Sequence, residues 1–333
     1  MSTSFTIEVH TDKEDSLDSL REDVLTGLTS QPKELPPKWF YDKHGSDLFE
    51  RITRLDEYYP TRREREILET RSQEIAALSQ AESLVELGSG TAKKTHLLLN
   101  ALEKTGQLQE FIPFDVSEKT LRESAALLNQ HYPSISVHGV VGDFQHHLPF
   151  LPQSQNNSPR LIVFLGGTIG NFKPKERIAF LNQVASGMKP KDTFLLGTDL
   201  LKNKARLEAA YNDKENITAA FNKNILRVVN RELQADFAVE AFDHLARFDQ
   251  KNSWIEMLLR STRHQTVHIG ALGIEVEFAA NEEMRTEVST KFTQETVKNE
   301  LDETGLKLSE WWTDPADDFA LSLSHLCNST IPR

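Results

Sequence analysis

The stretch "SLVELGSGTAKKT", residues 83–95, carries the clearest indication of the fold. It opens with a short apolar run that predicts a buried strand. Gly88 and Gly90 then predict a turn, and the residues after them predict a helix. A strand that enters a helix through a glycine turn is typical of sheets that bind nucleotide-like cofactors. The residues in and after this turn therefore indicate which kind of cofactor the sheet binds.

The same pattern returns along the chain, as an apolar run, a polar or glycine break, and a helical stretch. The further runs are "FIPFDV" (111–116), "SVHGVVGDF" (136–144), "RLIVFLGG" (160–167) and "DTFLLGTDL" (192–200). Strands that alternate with helices in this way predict parallel βαβ units, so we expect an α/β fold with a doubly wound sheet. Ligands bind such sheets at the carboxyl ends of the strands. The residues at those ends are Gly88, Asp115, Asp143 and Gly166.

Composition narrows the class of protein. The chain has 333 residues, a net charge of -12 and one cysteine, Cys327. The negative charge argues against nucleic acid as the main partner, and a lone cysteine indicates a reducing compartment. The amino terminus lacks the pattern of a signal peptide, and no apolar run approaches the roughly 20 residues of a membrane span. We expect a soluble, cytoplasmic protein that binds a small molecule.

The remaining segments suggest two domains. Residues 61–200 and 286–333 are expected to form the sheet domain, which ends in a strand pair, "LKLSEWW" and "DFALSLSHL". Residues 201–285 are too long for a crossover connection, so with residues 1–60 we expect them to build a mixed α+β, substrate-binding domain. Before the sheet, Thr61 and Glu64 have the spacing of a capping box at a helix start.

The glycine turn disfavours NAD. A dinucleotide fingerprint needs a third glycine where this chain has Lys93, and the spacing of a phosphate loop is also absent. S-adenosylmethionine, a cofactor without phosphates, fits better. Its amino acid end would meet Glu86, Gly88 and Gly90, its ribose hydroxyls Asp115, and its adenine Asp143 with Phe144. These strand ends are evenly spaced, which favours a methyltransferase.

Several longer motifs resemble one family. They are "LPPKWFYDKHGSDLFERITRLDEYYPTRRE", "VELGSGTAKKT", "PFDVS", "GDF", "FLGGTIGNF" and "MRTEVSTKFT". Together they resemble the histidine Nα-methyltransferases of ergothioneine biosynthesis, over about residues 17–326. The resemblance implies a Rossmann-like, class I methyltransferase fold and a monomer. It also implies trimethylation of the α-amine of L-histidine to hercynine, with S-adenosylmethionine as cofactor and without a metal.

The resemblance also implies roles for individual residues. Tyr41 and Asn171 would address the amine, and Tyr58 with Tyr211 would bind the carboxylate of the substrate. Glu287 and Ser289 would contact the imidazole, since residues two apart on an extended stretch share a face. The expected pocket wall is formed by Phe49, Gly166, Thr218 and Met257. The turn and strand ends add Ser89, Lys94 and Val116 to the cofactor site.

Alternatives stay open at this point. The chain could methylate the amine of another amino acid, bind S-adenosylmethionine without turnover, or be an NAD-dependent oxidoreductase. Tyr41 and Tyr58 could simply pack in an aromatic cluster, and Asn171 could serve a left-handed turn. Glu287 and Ser289 could lie on a solvated face beside Lys291.

Overall fold

The computed structural model describes residues 5–10, 13–90, 92, 94–143, 147–148 and 158–327. Within these residues the helices are α1 (Lys13–Thr29), α2 (Lys43–Ile52), α3 (Pro60–Ser79), α4 (Thr95–Glu103), α5 (Glu118–His131), α6 (Pro174–Gly187), α7 (Lys204–Tyr211), α8 (Ile217–Leu233) and α9 (Gln294–Glu303). The strands are β1 (Thr6–Val9), β2 (Ser83–Leu87), β3 (Glu110–Asp115), β4 (Ser136–Val141), β5 (Arg160–Phe164), β6 (Thr193–Asp199), β7 (Phe242–Asp249), β8 (Trp254–Ser261), β9 (Gln265–Ile269), β10 (Ile274–Phe278), β11 (Glu283–Thr290), β12 (Leu306–Thr313) and β13 (Phe319–Leu326). None of the helices in the described part of the chain is long and apolar enough to cross a membrane.

The chain divides into two compact units. The sheet unit comprises residues 1–12, 62–200 and 292–333, and the second unit comprises residues 13–61 and 201–291. Two segments differ from the expected division. β1 pairs with β4 in the large sheet, although it was assigned to the second domain. The break expected at residue 285 falls inside β11, whose register with β8 continues to Thr290.

The sheet unit is built on one mixed sheet. Its strand order is β1-β4-β3-β2-β5-β6-β13-β12. The six strands from β1 to β6 run parallel, whereas β13 is antiparallel to both β6 and β12. The chain order reverses between β2 and β5, so the carboxyl ends of these two strands flank the point where such sheets bind ligands, and the end of β3 lies beside that of β2. The expected α/β fold with a doubly wound, Rossmann-like sheet is confirmed.

The sheet is covered on both faces. All residues of β2, β5 and β6 are buried, which explains their nearly continuous apolar sequences. Alternate residues point to opposite faces. Leu84 therefore joins an apolar cluster with α3, α4 and α5, while Val85 joins another with α6 and α9.

The second unit has its own core. An antiparallel sheet, β11-β8-β7, and the hairpin of β9 and β10 accompany helices α1, α2, α7 and α8. α8 supplies Phe221, Ile225 and Val229 to one buried apolar cluster. The mixed α+β character expected for this part of the chain is confirmed.

Candidate functional site

The glycine turn after β2 is held by the neighbouring strand. Gly88 and Gly90 have φ angles of 72° and 49°, which glycine adopts without strain. The N–H groups of Gly88 and Ser89 donate to the carbonyl oxygen of Phe114, at 2.8 and 3.1 Å. The N–H of Gly90 donates to Oδ2 of Asp115 at 2.8 Å. A Cβ atom at Gly90 would meet no atom of the described residues within 4 Å, so the described part of the turn leaves room for a ligand against the backbone of Gly90.

Two acidic groups at these strand ends have raised pKa values. Burial raises the pKa of Glu86 to about 8, against the opposing effects of a hydrogen bond from Thr95 and the charge of Lys94. Thr95 Oγ1 lies 2.6 Å from both carboxylate oxygens of Glu86. Burial also raises the pKa of Asp115, although the N–H groups of Ser117 and Gly90 oppose it. Buried carboxyl groups of this kind favour a cationic or hydrogen-bond-donating ligand.

A third carboxyl group near the turn belongs to Glu64, for which the sequence predicted only a place in a capping box. α3 begins at Pro60, so Thr61 lies inside the helix and the expected capping box is wrong. Glu64 is fully buried, and its carboxylate accepts hydrogen bonds from Nζ of Lys94 and from the N–H of Gly166. The sequence does indicate that Glu64 is buried, because Glu64 lies three and four residues before Ile67 and Leu68, on the apolar face of the helix.

The residues around the turn fit the expected cofactor. Ser89 Oγ is buried and has no hydrogen-bond partner among the described residues, and Val116 exposes half of its apolar surface next to Asp115. Asp143 follows β4, and its N–H donates to Nδ1 of His147 at 3.0 Å. Phe144 lies outside the described residues. The hydroxyl, the carboxylates and the apolar surface suit a ligand that carries an ammonium group, ribose hydroxyls and a flat ring.

The expected substrate residues of the second unit form an aromatic cluster. The ring centroids of Tyr41 and Phe49 are 5.6 Å apart, those of Phe49 and Tyr58 6.2 Å, and those of Tyr58 and Tyr211 6.3 Å. Tyr41 stays 40% exposed, whereas Tyr58 and Tyr211 are buried. The cluster therefore brings the two phenols that were expected to bind a carboxylate close to each other.

A polar cluster adjoins Tyr211. Its hydroxyl oxygen lies 2.7 Å from Oγ of Ser289, and Nζ of Lys291 donates to both oxygens, at 3.0 and 2.9 Å. Burial raises the pKa of Glu287 to about 7, although the charge of Lys291 opposes the rise. Glu287, Ser289 and Lys291 are all buried, so the suggestion that they lie on a solvated face is wrong.

The other expected pocket residues are distributed over both units. Met257 is buried and lies opposite Glu287 in the pairing of β8 with β11. Thr218 is buried near the start of α8, and its N–H donates to Oδ1 of Asp213 at 2.7 Å. In the sheet unit, Gly166 has a φ of 80°, and Asn171 ends the short 3₁₀ helix Thr168–Asn171.

A buried hydrogen-bond chain, also missed from the sequence, connects β11 to α7. Thr286 Oγ1 donates to Oδ1 of Asn222 at 2.6 Å, and Nδ2 of Asn222 donates to Nδ1 of His244 at 2.8 Å. Nε2 of His244 then donates to the carbonyl oxygen of Tyr211 at 2.8 Å. Burial lowers the pKa of His244, which agrees with a neutral ring. These hydrogen bonds hold β11, the strand that carries Glu287, in a fixed position relative to Tyr211.

The comparison with known families matches this chemistry. The profile described as histidine-specific, SAM-dependent methyltransferase matches residues 20–326. The chain belongs to this family. The family prediction is thereby confirmed, and the protein is an S-adenosylmethionine-dependent methyltransferase.

Relatives of this methyltransferase agree with the assignment. It is 54% identical to the histidine N-alpha-methyltransferase of Mycolicibacterium smegmatis over 92% of this chain and 95% of the relative. It is 31% identical to the ergothioneine biosynthesis protein 1 of Neurospora crassa, over 90% of this chain and 34% of that longer protein. Among solved structures, DesVI of Streptomyces venezuelae is 13% identical with a TM-score of 0.42, over 86% of this chain and 100% of that one.

Proposed function

We propose that this methyltransferase transfers three methyl groups from S-adenosylmethionine to the α-amino group of L-histidine, and so forms hercynine for ergothioneine biosynthesis. The observation that carries the proposal is the buried pair Glu287 and Ser289, a carboxylate and a hydroxyl on one strand. A neutral imidazole offers one N–H donor and one nitrogen acceptor, which this pair complements. The 54% identical relative from M. smegmatis is named for histidine and supports the same substrate.

The sheet unit supplies the cofactor residues of this proposal. When bound, the cofactor supplies a methyl group on a sulfonium centre. Its amino acid end binds against the backbone of Gly88, Ser89 and Gly90 and the carboxyl group of Glu86. Lys94 lies beside these groups. The carboxylate of Asp115 accepts hydrogen bonds from the ribose hydroxyls, and Val116 lies beside Asp115. The adenine is held by Asp143 and Phe144.

The second unit supplies most of the substrate residues. Tyr58 and Tyr211 hold the carboxylate of histidine with their hydroxyl groups, and Glu287 with Ser289 holds the imidazole. The aromatic side chain of Phe49, with Met257 and Thr218, forms the wall. Because each polar group of the substrate then has its own partner, histidine is preferred over amino acids that lack the ring nitrogens.

Methyl transfer to nitrogen is an in-line displacement that requires the lone pair of an uncharged amine. Tyr41, Tyr58 and Asn171 orient this amine, and Gly166 lines its surroundings. No strong base is needed, because burial disfavours the ammonium form and the proton can pass to water before the amine is enclosed. Positioning is then the main contribution of the enzyme.

We also propose where the enzyme acts, its oligomeric state and which partners it does without. We place the enzyme in the cytoplasm as a monomer that needs no metal ion, nucleic acid or membrane. A net charge of -12 supports the absence of nucleic acid. Sedimentation of the purified protein measures its mass directly, and activity after treatment with a chelator tests the metal requirement.

The experiment that tests the proposed reaction locates the new methyl groups. Purified protein is incubated with L-histidine and S-adenosylmethionine, and the products are fragmented in a mass spectrometer beside authentic ring-methylated and α-N-methylated standards. We expect one, two and then three methyl groups on the α-nitrogen. Methyl groups on the ring, or none at all with histidine, would contradict the proposal.

A further inference from the structure

Tyr41 lies at the junction of two helices and keeps 40% of its surface exposed. It follows directly after the 3₁₀ helix Pro37–Phe40 and lies two residues before the start of α2. Its φ and ψ angles of -91° and 43° belong to neither a helix nor a strand. A phenol that contacts a ligand cannot be enclosed by packing on all sides, so its position depends on how firmly its backbone is held.

One buried amide, that of Asn224 on α8, binds the residues on both sides of Tyr41. Its Nδ2 atom donates to the carbonyl oxygen of Phe40 at 3.1 Å and to Oδ1 of Asp42 at 2.8 Å. Asn224 is only 1% exposed. An amide nitrogen carries two hydrogens, and these two acceptors use both of them. The residues before and after Tyr41 are therefore bound to the same point on α8.

The carboxylate of Asp42 is itself fixed in place. Its Oδ1 also accepts from the N–H of Gly45 at 2.8 Å, at the start of α2, and its Oδ2 accepts from Arg231 on α8 at 2.8 Å. Burial alone would raise the pKa of Asp42, but these hydrogen bonds and the one from Asn224 hold it below its ordinary value. The carboxylate is therefore ionised at neutral pH, and its hydrogen bond with Asn224 is charge-assisted.

The packing around these hydrogen bonds is tight. A Cβ atom at Gly45 would clash with the carbonyl oxygen of Phe40 and would lie 2.9 Å from Nδ2 of Asn224. Phe221 lies three residues before Asn224 on α8, and its ring centroid is 5.4 Å from that of Tyr41. Because residues three apart on a helix share a face, α8 contacts both the ring of Tyr41 and the residues that flank it.

We infer that Asn224 is a positioning residue for methyl transfer. It sets the place of the Tyr41 hydroxyl group by binding the two residues that flank Tyr41, and Tyr41 in turn orients the substrate amine. A displacement of about 1 Å in such an orienting group can cost roughly 100-fold in rate. This inference rests on the proposed function, in which Tyr41 contacts the amine of histidine.

A double-mutant cycle tests this role. The kcat for histidine is measured for the unchanged protein, Asn224→Ala, Tyr41→Phe and the variant with both changes. Effects multiply when two residues act independently and do not multiply when one acts through the other. We expect Asn224→Ala to lower kcat roughly 10- to 100-fold on its own, but less than about threefold when Tyr41 is already phenylalanine. Full multiplication would indicate a merely structural role and would overturn the inference.

Asn230→Ala is the matched control, because Asn230 lies on the same helix and holds a different backbone segment. Its side chain donates to the carbonyl oxygen of Phe237 and accepts from the N–H of Phe237, both at 2.9 Å. This variant should keep the kcat of the unchanged protein, so an equal loss in both alanine variants would also overturn the inference. Where Asn224→Ala fails to fold, Asn224→Leu, which has a similar shape and no N–H donor in its side chain, takes the same test.

Hydrogen exchange separates this inference from the proposed function. Mass spectrometry measures the exchange of the backbone amides in residues 37–46 without any substrate. Asn224→Ala should accelerate this exchange and Asn230→Ala should not, and unchanged exchange in Asn224→Ala overturns the inference. If the exchange accelerates but the unchanged protein does not methylate histidine, the proposed substrate is wrong while the hold of Asn224 on this segment stands. If Tyr41→Phe methylates histidine at the full rate, the role of Tyr41 is wrong, and the inference with it.

Discussion

The N–H of Gly166 donates a hydrogen bond of 2.6 Å to Oε1 of Glu64, and Lys94 donates to the second oxygen of the same carboxylate. One buried side chain on α3 therefore joins the turn after β5 to the start of α4. Gly197 on β6 has no room for a side chain, because a Cβ atom there would clash with Oε1 of Glu64. The absence of a side chain at Gly197 therefore leaves the space that this carboxylate occupies.

We predict that Glu64→Gln weakens the binding of S-adenosylhomocysteine about tenfold. The amide keeps the shape of the side chain but removes the charge that holds Lys94, and a charge-assisted hydrogen bond contributes about 1.5–3 kcal/mol before its partial exposure is considered. Calorimetry gives the two Kd values. The control is Glu69→Gln on the same helix, where the carboxylate is exposed and pairs with Arg65. Equal Kd values for the two variants would show that Glu64 does not contribute to cofactor binding.

We predict that Gly197→Ala lowers the free energy of unfolding by about 1–3 kcal/mol, the usual range for overpacking a core. The added methyl group must displace Glu64, so binding of S-adenosylhomocysteine also weakens. Urea denaturation measures the first effect. Gly187→Ala is the matched control, since a Cβ atom there meets no atom within 4 Å from the described residues outside its own helix backbone. The two variants should differ clearly, and similar stabilities would show that the space around Glu64 is not tight.

We predict from the raised pKa of Glu287 that the stability of the protein depends on pH. Burial raises its pKa from 4.5 to about 7, so the folded state binds this proton more tightly than the unfolded chain. The resulting stabilisation is fully present below about pH 4.5 and is lost as the pH rises through about 7. Each pKa unit corresponds to about 1.4 kcal/mol, so the loss is on the order of 3 kcal/mol.

Glu287→Gln tests this dependence because its amide resembles the protonated carboxyl group. The difference in unfolding free energy between this variant and the unchanged protein should grow in favour of the variant from pH 4.5 to pH 7. Glu277→Gln, on the exposed face of β10, should show no such trend. A difference for Glu287→Gln that does not vary with pH would show that this carboxyl group is ionised normally.

We predict that Tyr58→Phe slows methylation about 10- to 100-fold and leaves mono- and dimethylated histidine among the products. Phenylalanine preserves the ring contacts with Phe49 and Tyr211 but lacks the hydroxyl that orients the substrate. Mass spectrometry at fixed times gives both the rate and the product distribution. The neighbouring Tyr59, whose hydroxyl accepts from Lys202 at 2.8 Å, provides the control Tyr59→Phe. An unchanged rate and product distribution in Tyr58→Phe would exclude the proposed role.

The sheet was predictable because its strands are buried on both faces. "SLVEL" matches β2 from Ser83 to Leu87, since a continuous apolar run that ends at a glycine has few alternative structures. β7 was missed, because Asp243, Arg247 and Asp249 interrupt its apolar pattern. The place of β1 depends on its pairing with β4, more than 120 residues away in the sequence, and no local pattern encodes such a contact.

The site was predictable only in part. The family resemblance indicated Tyr211, Glu287 and Ser289 as site residues. Their proximity could not be predicted, because it depends on how the second unit folds. The burial of Glu64 and Lys291 was not predicted, because a charged residue near a helix start or after a strand is usually solvated. The roles of Glu64 and Glu287 remain predictions that the variants above can test.

A competition among amino acids for methylation tests directly whether histidine is the substrate. Purified protein is incubated with S-adenosylmethionine and an equimolar panel of free amino acids, and the small molecules are analysed by mass spectrometry. We predict that histidine alone gains methyl groups, up to three. Methylation of another amino acid in place of histidine, or no methylation although the protein binds the cofactor, would contradict the account.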